Sequence, residues 1–197
     1  MTLIAGFVES GVVTLPGDSV AGNSSQYTVD LVTEPKIFFV QDLMIGYTTS
    51  SRMGQLLQHG LDLPARNRTL DPGTWLRTIF ATRVRALFEG NGFGNGKNDD
   101  GGVFLNGVDG RLFTVQGDFA VLEFTHPYAA IGSGQYFAEG TLHALSTMRL
   151  PDDIELTPRE RLRLAADAAT AHSAFVWPPH HLIRSDQPGV VEVIHPV

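Results

Sequence analysis

Three pairs of short apolar runs, each folded back by a turn, constrain this chain more than any other feature. Residues 3–8 (LIAGFV) meet Glu9-Ser10-Gly11 and resume at 12–15 (VVTL). Residues 36–40 and 43–47 flank Gln41-Asp42, and residues 103–108 and 111–116 flank Asp109-Gly110. Asp-Gly between two strand-like runs supplies the positive φ angles that a two-residue hairpin needs. Strands joined by hairpins lie antiparallel, whereas parallel strands need long crossovers. A doubly wound parallel sheet is therefore excluded.

Between the hairpins the apolar period lengthens to that of a helix. Met53, Leu56, Leu57 and Leu61 share one face, and so do Trp75, Leu76, Ile79, Phe80, Val84, Leu87 and Phe88. Asp71-Pro72 opens the second of these helices with a capping side chain followed by a proline at the first helical position. Residues 133–148 predict a third helix through Phe137, Leu142, Leu145 and Met148. Thr157-Pro158-Arg159-Glu160 is a capping box opening a fourth, through Leu162, Ala165 and Ala169. Pro178-Pro179 stops any helix, and residues 180–184 and 190–194 are terminal strand candidates. Gly17-Asp18-Ser19 reads as a closing turn, residues 22–35 as a loop or edge strand, and 64–72 as a linker. The Gly/Asn/Asp-rich stretch 90–102 reads as a hairpin tip, because it fits neither GxxxxGK[ST] nor GxGxxG. The order predicts an α+β layered fold with two antiparallel sheets and helices between or outside them. It spans residues 1–197 as one domain without internal repeats.

Composition narrows the function. With 43% hydrophobic residues in 197, the chain buries a core without staples, and it has no cysteine for a disulfide, a thiol nucleophile or a thiolate metal site. Fourteen basic against 21 acidic residues, formally −7, is the wrong balance for a nucleic-acid binder. The arginines of 77–85 and 159–163 read as solvated helix faces. No apolar run reaches membrane-spanning length, and the N-terminus lacks the basic lead-in of a signal peptide, so the expected location is cytoplasmic. There is no HExxH, no GxSxG and no carboxylate pair at metal spacing. His180 and His181 are adjacent on a predicted strand and point to opposite faces, so they cannot share a metal.

One arrangement can do chemistry. Removal of Met1 would leave Thr2 with a hydroxyl nucleophile and an α-amine whose ordinary pKa of about 7.7–8.0 suits a base. A fixed cation nearby would stabilise the alkoxide, and an anion would hold that cation. If Met1 stays, the nitrogen is an amide and that base is lost.

Thr2-Leu3-Ile4-Ala5-Gly6, Gly17-Asp18-Ser19, Lys36-Ile37-Phe38 and Ile131-Gly132-Ser133-Gly134 together resemble the proteasome β-subunit superfamily, most closely its HslV-type branch. The likeness runs from Thr2 to about Arg184. It implies a four-layer αββα sandwich of the N-terminal nucleophile (Ntn) hydrolase type and a threonine peptidase acting on peptide or protein substrates. Residue by residue, it implies Thr2 as nucleophile, Lys36 as fixed cation, Asp18 as its holder, and Ser133 as the group orienting the terminal amine. Thr49 would stand at the oxyanion hole, where the family commonly has Gly. Tyr47 would floor the first specificity pocket and favour small side chains, with Ala21 also contacting substrate. Many members carry an Asp where this chain has Ser173, and Gly-Gly where it has Trp177-Pro178. The HslV-like branch instead binds a cation there through backbone carbonyls, which maps to Ser173, Val176 and Pro179 and to a structural monovalent or magnesium ion. No catalytic cofactor is implied. The partners implied are further copies of the chain, in a ring, and an AAA+ unfoldase ATPase. The competing expectation is a catalytically inactive, self-assembling scaffold with the same fold.

Overall fold

The computed structural model describes residues 2–23, 28–93, 102–149, 151 and 154–195. Two five-stranded antiparallel sheets pack face to face. The first runs β10-β1-β2-β11-β12, from Tyr128–Gly132, Leu3–Glu9, Val12–Asp18, His180–Arg184 and Glu192–Ile194. The second runs β5-β6-β7-β8-β9, from Ile37–Val40, Leu43–Tyr47, Phe104–Val108, Arg111–Val115 and Val121–Glu123. A small separate hairpin joins β3 (Val20–Asn23) to β4 (Thr28–Leu31). Helices α4 (Gln135–Thr147) and α5 (Pro158–His172) cover the outside of the first sheet. Helices α1 (Ser51–Gly60), α2 (Pro72–Trp75) and α3 (Ala81–Gly90) cover the second.

Alternation along β1 shows why the layers form. Leu3, Ala5 and Phe7 join Leu142, Leu162 and Ala166 beneath α4 and α5. Ile4 faces the other way, into a layer with Leu15, Ile37, Met44 and Leu105 between the sheets. A strand buried on both faces must be apolar throughout, as LIAGFV is. The third layer is aromatic: Trp75, Phe80, Phe88, Phe104 and Phe113 are at most 2% exposed, and each contributes ~1.5–3 kcal/mol by leaving water. In the β1–β2 and β7–β8 loops both residues have positive φ: Ser10 and Gly11 at 51° and 78°, Asp109 and Gly110 at 48° and 70°. That is the twist a two-residue hairpin requires. Thr157 and Glu160 form the reciprocal capping box at the start of α5.

Some local expectations are corrected. Gly17-Asp18 is not a turn, because β2 runs through Asp18 in register with β11, Asp18 opposite His180, and the chain passes straight into β3. Part of the polar stretch 22–35 pairs as the β3–β4 hairpin. Strands β9 and β10 carry little sequence signal, since β9 has only three residues and β10 is an Ala-Ala strand between Pro127 and Gly132. The helix through Trp75 is interrupted by a π turn, Leu76–Phe80, that keeps Leu76, Phe80, Val84 and Phe88 in one buried row. Residues 94–101, most of the expected hairpin tip, lie outside the described residues.

Candidate active site

Thr2 enters β1, Asp18 ends β2 and Lys36 immediately precedes β5, so the first sheet supplies two groups and the second sheet the third. Strand pairing of β1 with β2 (Ile4 opposite Gly17) brings Thr2 beside Asp18. Packing of one sheet on the other delivers Lys36. The three residues are 1%, 0% and 5% exposed. Lys36 Nζ donates to Thr2 Oγ1 at 2.6 Å and to Asp18 Oδ1 at 2.9 Å. The Thr2 hydroxyl also donates to Asp18 Oδ1, and the Leu3 N–H reaches the same oxygen at 3.2 Å.

Burial dominates the electrostatics of this cluster. Desolvation pushes the Asp18 carboxyl up and the Lys36 ammonium down, against the pull of each other's charge. Both shifts favour the neutral forms, so moving a proton within the cluster costs less than it would between the same groups in water.

Ser133 lies between β10 and α4. Its hydroxyl donates to the Thr2 carbonyl at 3.3 Å, and the Gly134 N–H points at the same oxygen at 3.4 Å. Ser133 therefore holds Thr2 by its backbone. Gly132 makes this approach feasible, because its φ is +97° and a Cβ there would overlap the Thr2 carbonyl oxygen. The N-terminal end of α4 sits beside this contact, where its dipole favours negative charge.

Thr49 occupies a strained position across the cleft. Its φ is +74°, rare for a β-branched residue, and Ser50 N donates to Thr48 O at 2.8 Å, closing a three-residue turn around it. Such torsions cost ~1–3 kcal/mol and persist where neighbours fix them. Here they do: the N–H and hydroxyl of Thr48 both donate to Val103 O, at 3.1 and 2.9 Å, and Ser50 caps α1 through Met53 N. The Thr49 N–H itself has no partner among the described residues.

A cavity of about 70 Å³ joins these walls, lined by Thr2, Lys36, Val20, Ala21 and residues 47–51. The Tyr47 ring lies flat against Gly54, where a Cβ would overlap it. Burial raises the Tyr47 hydroxyl pKa, with the charges of Glu34 and Asp18 adding to it and a hydrogen bond to Ser51 opposing it. Ala21 lies on β3, opposite Asp30 of β4. The structure thus brings Thr2, Lys36, Thr49, Tyr47 and Ala21 to one cleft, with Asp18 and Ser133 bonded to Thr2.

Ser173, Val176 and Pro179 follow α5, outside that cluster. The Ser173 carbonyl accepts from Val176 N at 3.3 Å and the Pro179 carbonyl from Ser19 Oγ at 2.7 Å. Among the described residues no three His, Asp or Glu side chains form a metal cluster. As expected from their adjacency, His180 and His181 turn apart: His180 meets Thr170 Oγ1 at 3.1 Å and His181 meets Ser19 Oγ at 2.9 Å. Sequence reasoning gave neither histidine a role near the site; the pairing of His180 with Asp18 becomes visible only through the β2–β11 register.

No protein-family model and no curated protein matches the chain. Solved structures do. BPH of Thiobacillus denitrificans in complex with epoxomicin matches with TM-score 0.75 and 21% identity, over 92% of this chain and 97% of that one. HslV of Trypanosoma brucei matches at 0.67 and 16%, over 92% and 98%. Anbu of Yersinia bercovieri matches at 0.66 and 16%, over 98% and 86%. The chain has the proteasome-like Ntn-hydrolase fold.

Proposed function

We propose that this chain is a threonine-type N-terminal nucleophile peptidase, active once Met1 has been removed. The observation that carries the reading is the Thr2 hydroxyl held by Lys36 and Asp18, fully buried, at the head of a cleft. In the proposed reaction Thr2 Oγ attacks the substrate carbonyl and its proton passes to the freed α-amine. The oxyanion takes the Thr49 N–H, the Lys36 charge offsets the developing negative charge, and the amine returns the proton to the leaving nitrogen. Water then hydrolyses the Thr2 ester by the same route in reverse order. Tyr47 shortens the pocket, so a small substrate side chain is expected there. No step passes through an ion at Ser173, Val176 and Pro179; a cation held there would act structurally.

The test is hydrolysis of small peptide amides by Met-free protein and by Met-free Thr2→Ala. Loss of turnover in the variant supports the reading, and turnover that survives removes it. A substrate screen preferring Phe or Leu at the cleaved position would contradict the role given to Tyr47. Assembly into a ring of identical subunits, served by an AAA+ unfoldase, is part of the same proposal, supported by the fold shared with HslV. A sizing column reporting a monomer would remove it.

A further inference from the structure

Two buried polar atoms behind the cleft have no partner among the described residues, and they sit on residues that face each other. Asp18 and His180 are directly opposed in the β2–β11 ladder, so their side chains leave the same side of the sheet. They are 0% and 1% exposed. Asp18 Oδ1 takes all the bonds described above, while among the described residues Asp18 Oδ2 takes none and His180 Nδ1 is likewise unpartnered.

The tautomer of His180 follows from its other contact. Helical threonines elsewhere in the chain, Thr78, Thr82, Thr141 and Thr147, give their hydroxyl hydrogen to the carbonyl four residues back. Among the described residues Thr170 makes no such bond, and its hydroxyl meets only His180 Nε2, at 3.1 Å. With the Thr170 hydroxyl donating, Nε2 is the acceptor and Nδ1 carries the hydrogen. With that tautomer, the sheet sets a buried donor lacking an acceptor, among the described residues, across from a buried carboxylate oxygen lacking a donor. A dry, unpaired arrangement of this kind is costly, and buried water normally resolves it.

We propose that His180 is a positioning residue for Asp18: its Nδ1–H donates to one buried water, which donates to Asp18 Oδ2 and fixes the carboxylate that holds Lys36 against Thr2. The chain of contacts runs Thr170, His180, water, Asp18, Lys36, Thr2, and links α5 to the nucleophile. His180 stays neutral throughout; Lys36 is the cation on that side.

Nitrogen-15 NMR of Met-free Thr2→Ala protein tests the link without any catalysis. The expected His180 signature is a neutral ring with the hydrogen on Nδ1, whose Nδ1 resonance moves in Asp18→Asn. A hydrogen on Nε2, or no response to Asp18→Asn, overturns the proposal. The kinetic half rests on the peptidase reading. His180→Asn keeps a donor where Nδ1 stands, and His180→Gln keeps one only where Nε2 stands. We expect kcat to fall about tenfold in His180→Gln and His180→Phe at unchanged KM, and to be largely restored in His180→Asn. Equal losses in all three variants overturn the positioning role. Absence of turnover in the parent protein would sink the peptidase reading but leave the NMR result to decide this one.

Discussion

The Thr2 side of the cleft and its Thr49 side are held in different ways. Thr2, Asp18 and Lys36 are buried where two sheets meet, each fixed by strand pairing or by the β5 entry. Thr49 is exposed, on a three-residue turn with a left-handed backbone, held only through Thr48, Ser50 and the carbonyl of Val103. The first wall is buried and hydrogen-bonded, its Lys36–Asp18 attraction offsetting only part of the cost of desolvation. The second is strained because the turn closed from Ser50 N to Thr48 O holds the β-branched Thr49 at positive φ. Substitutions on the first side should cost both stability and activity, whereas those on the second can separate the two.

Lys36→Ala should have the largest effect. It leaves Asp18 buried and unpaired, at ~3–5 kcal/mol of stability, and removes the charge beside Thr2, at ~10²–10³-fold in kcat. Urea unfolding and peptide turnover would measure the two losses; a stable, active variant would show that the buried pair does not hold this wall. Gly132→Ala comes next. The added methyl group meets the Thr2 carbonyl oxygen in a positive-φ conformation, and a loss of about 2–3 kcal/mol is expected in the same unfolding assay.

His180 gives the Thr2 side a pH dependence. Burial, with smaller contributions from His181 and Lys36, lowers its pKa to about 4 from 6.5. Below pH 6.5 the unfolded chain takes up a proton that the folded chain refuses until about pH 4. The stabilisation is therefore complete above pH 6.5 and lost as pH falls through this window, by about 3–3.5 kcal/mol at ~1.4 kcal/mol per unit. Urea midpoints from pH 7 to 4.5 should fall less steeply in His180→Phe than in the parent; parallel slopes would contradict the assignment. Thr49→Gly should have the smallest effect, with the opposite sign. Relief of the left-handed strain exceeds the added flexibility of the unfolded chain, giving about 1 kcal/mol of added stability with turnover retained. A destabilised variant would mean that the turn is not strained.

Most of this was legible in the residues, for identifiable reasons. LIAGFV, Asp109-Gly110 and the Thr157 capping box are local signals, and their elements formed where local physics placed them. Asp18 reads as part of a closing turn but lies in a strand. Gly17-Asp18-Ser19 has turn chemistry, yet pairing with β11 keeps it extended. Strand β10 was missed because Ala-Ala has little strand propensity of its own; its pairing with β1 and the Leu142 side of α4 define it. The strain at Thr49 was foreshadowed by a β-branched residue where the resembling family commonly has Gly. The opposition of His180 to Asp18 had no local signal, since it depends on the register of strands 160 residues apart.

The central claim is that a free N-terminal Thr2, set against the Lys36 ammonium, is the reacting group. Peptide mapping by mass spectrometry of Met-free protein treated with a covalent threonine-directed probe, a peptide vinyl sulfone ending in alanine, tests this most directly. The account expects the adduct on the N-terminal peptide at Thr2, lost in Lys36→Ala. An unmodified N-terminus, or an adduct on any other residue, would contradict it.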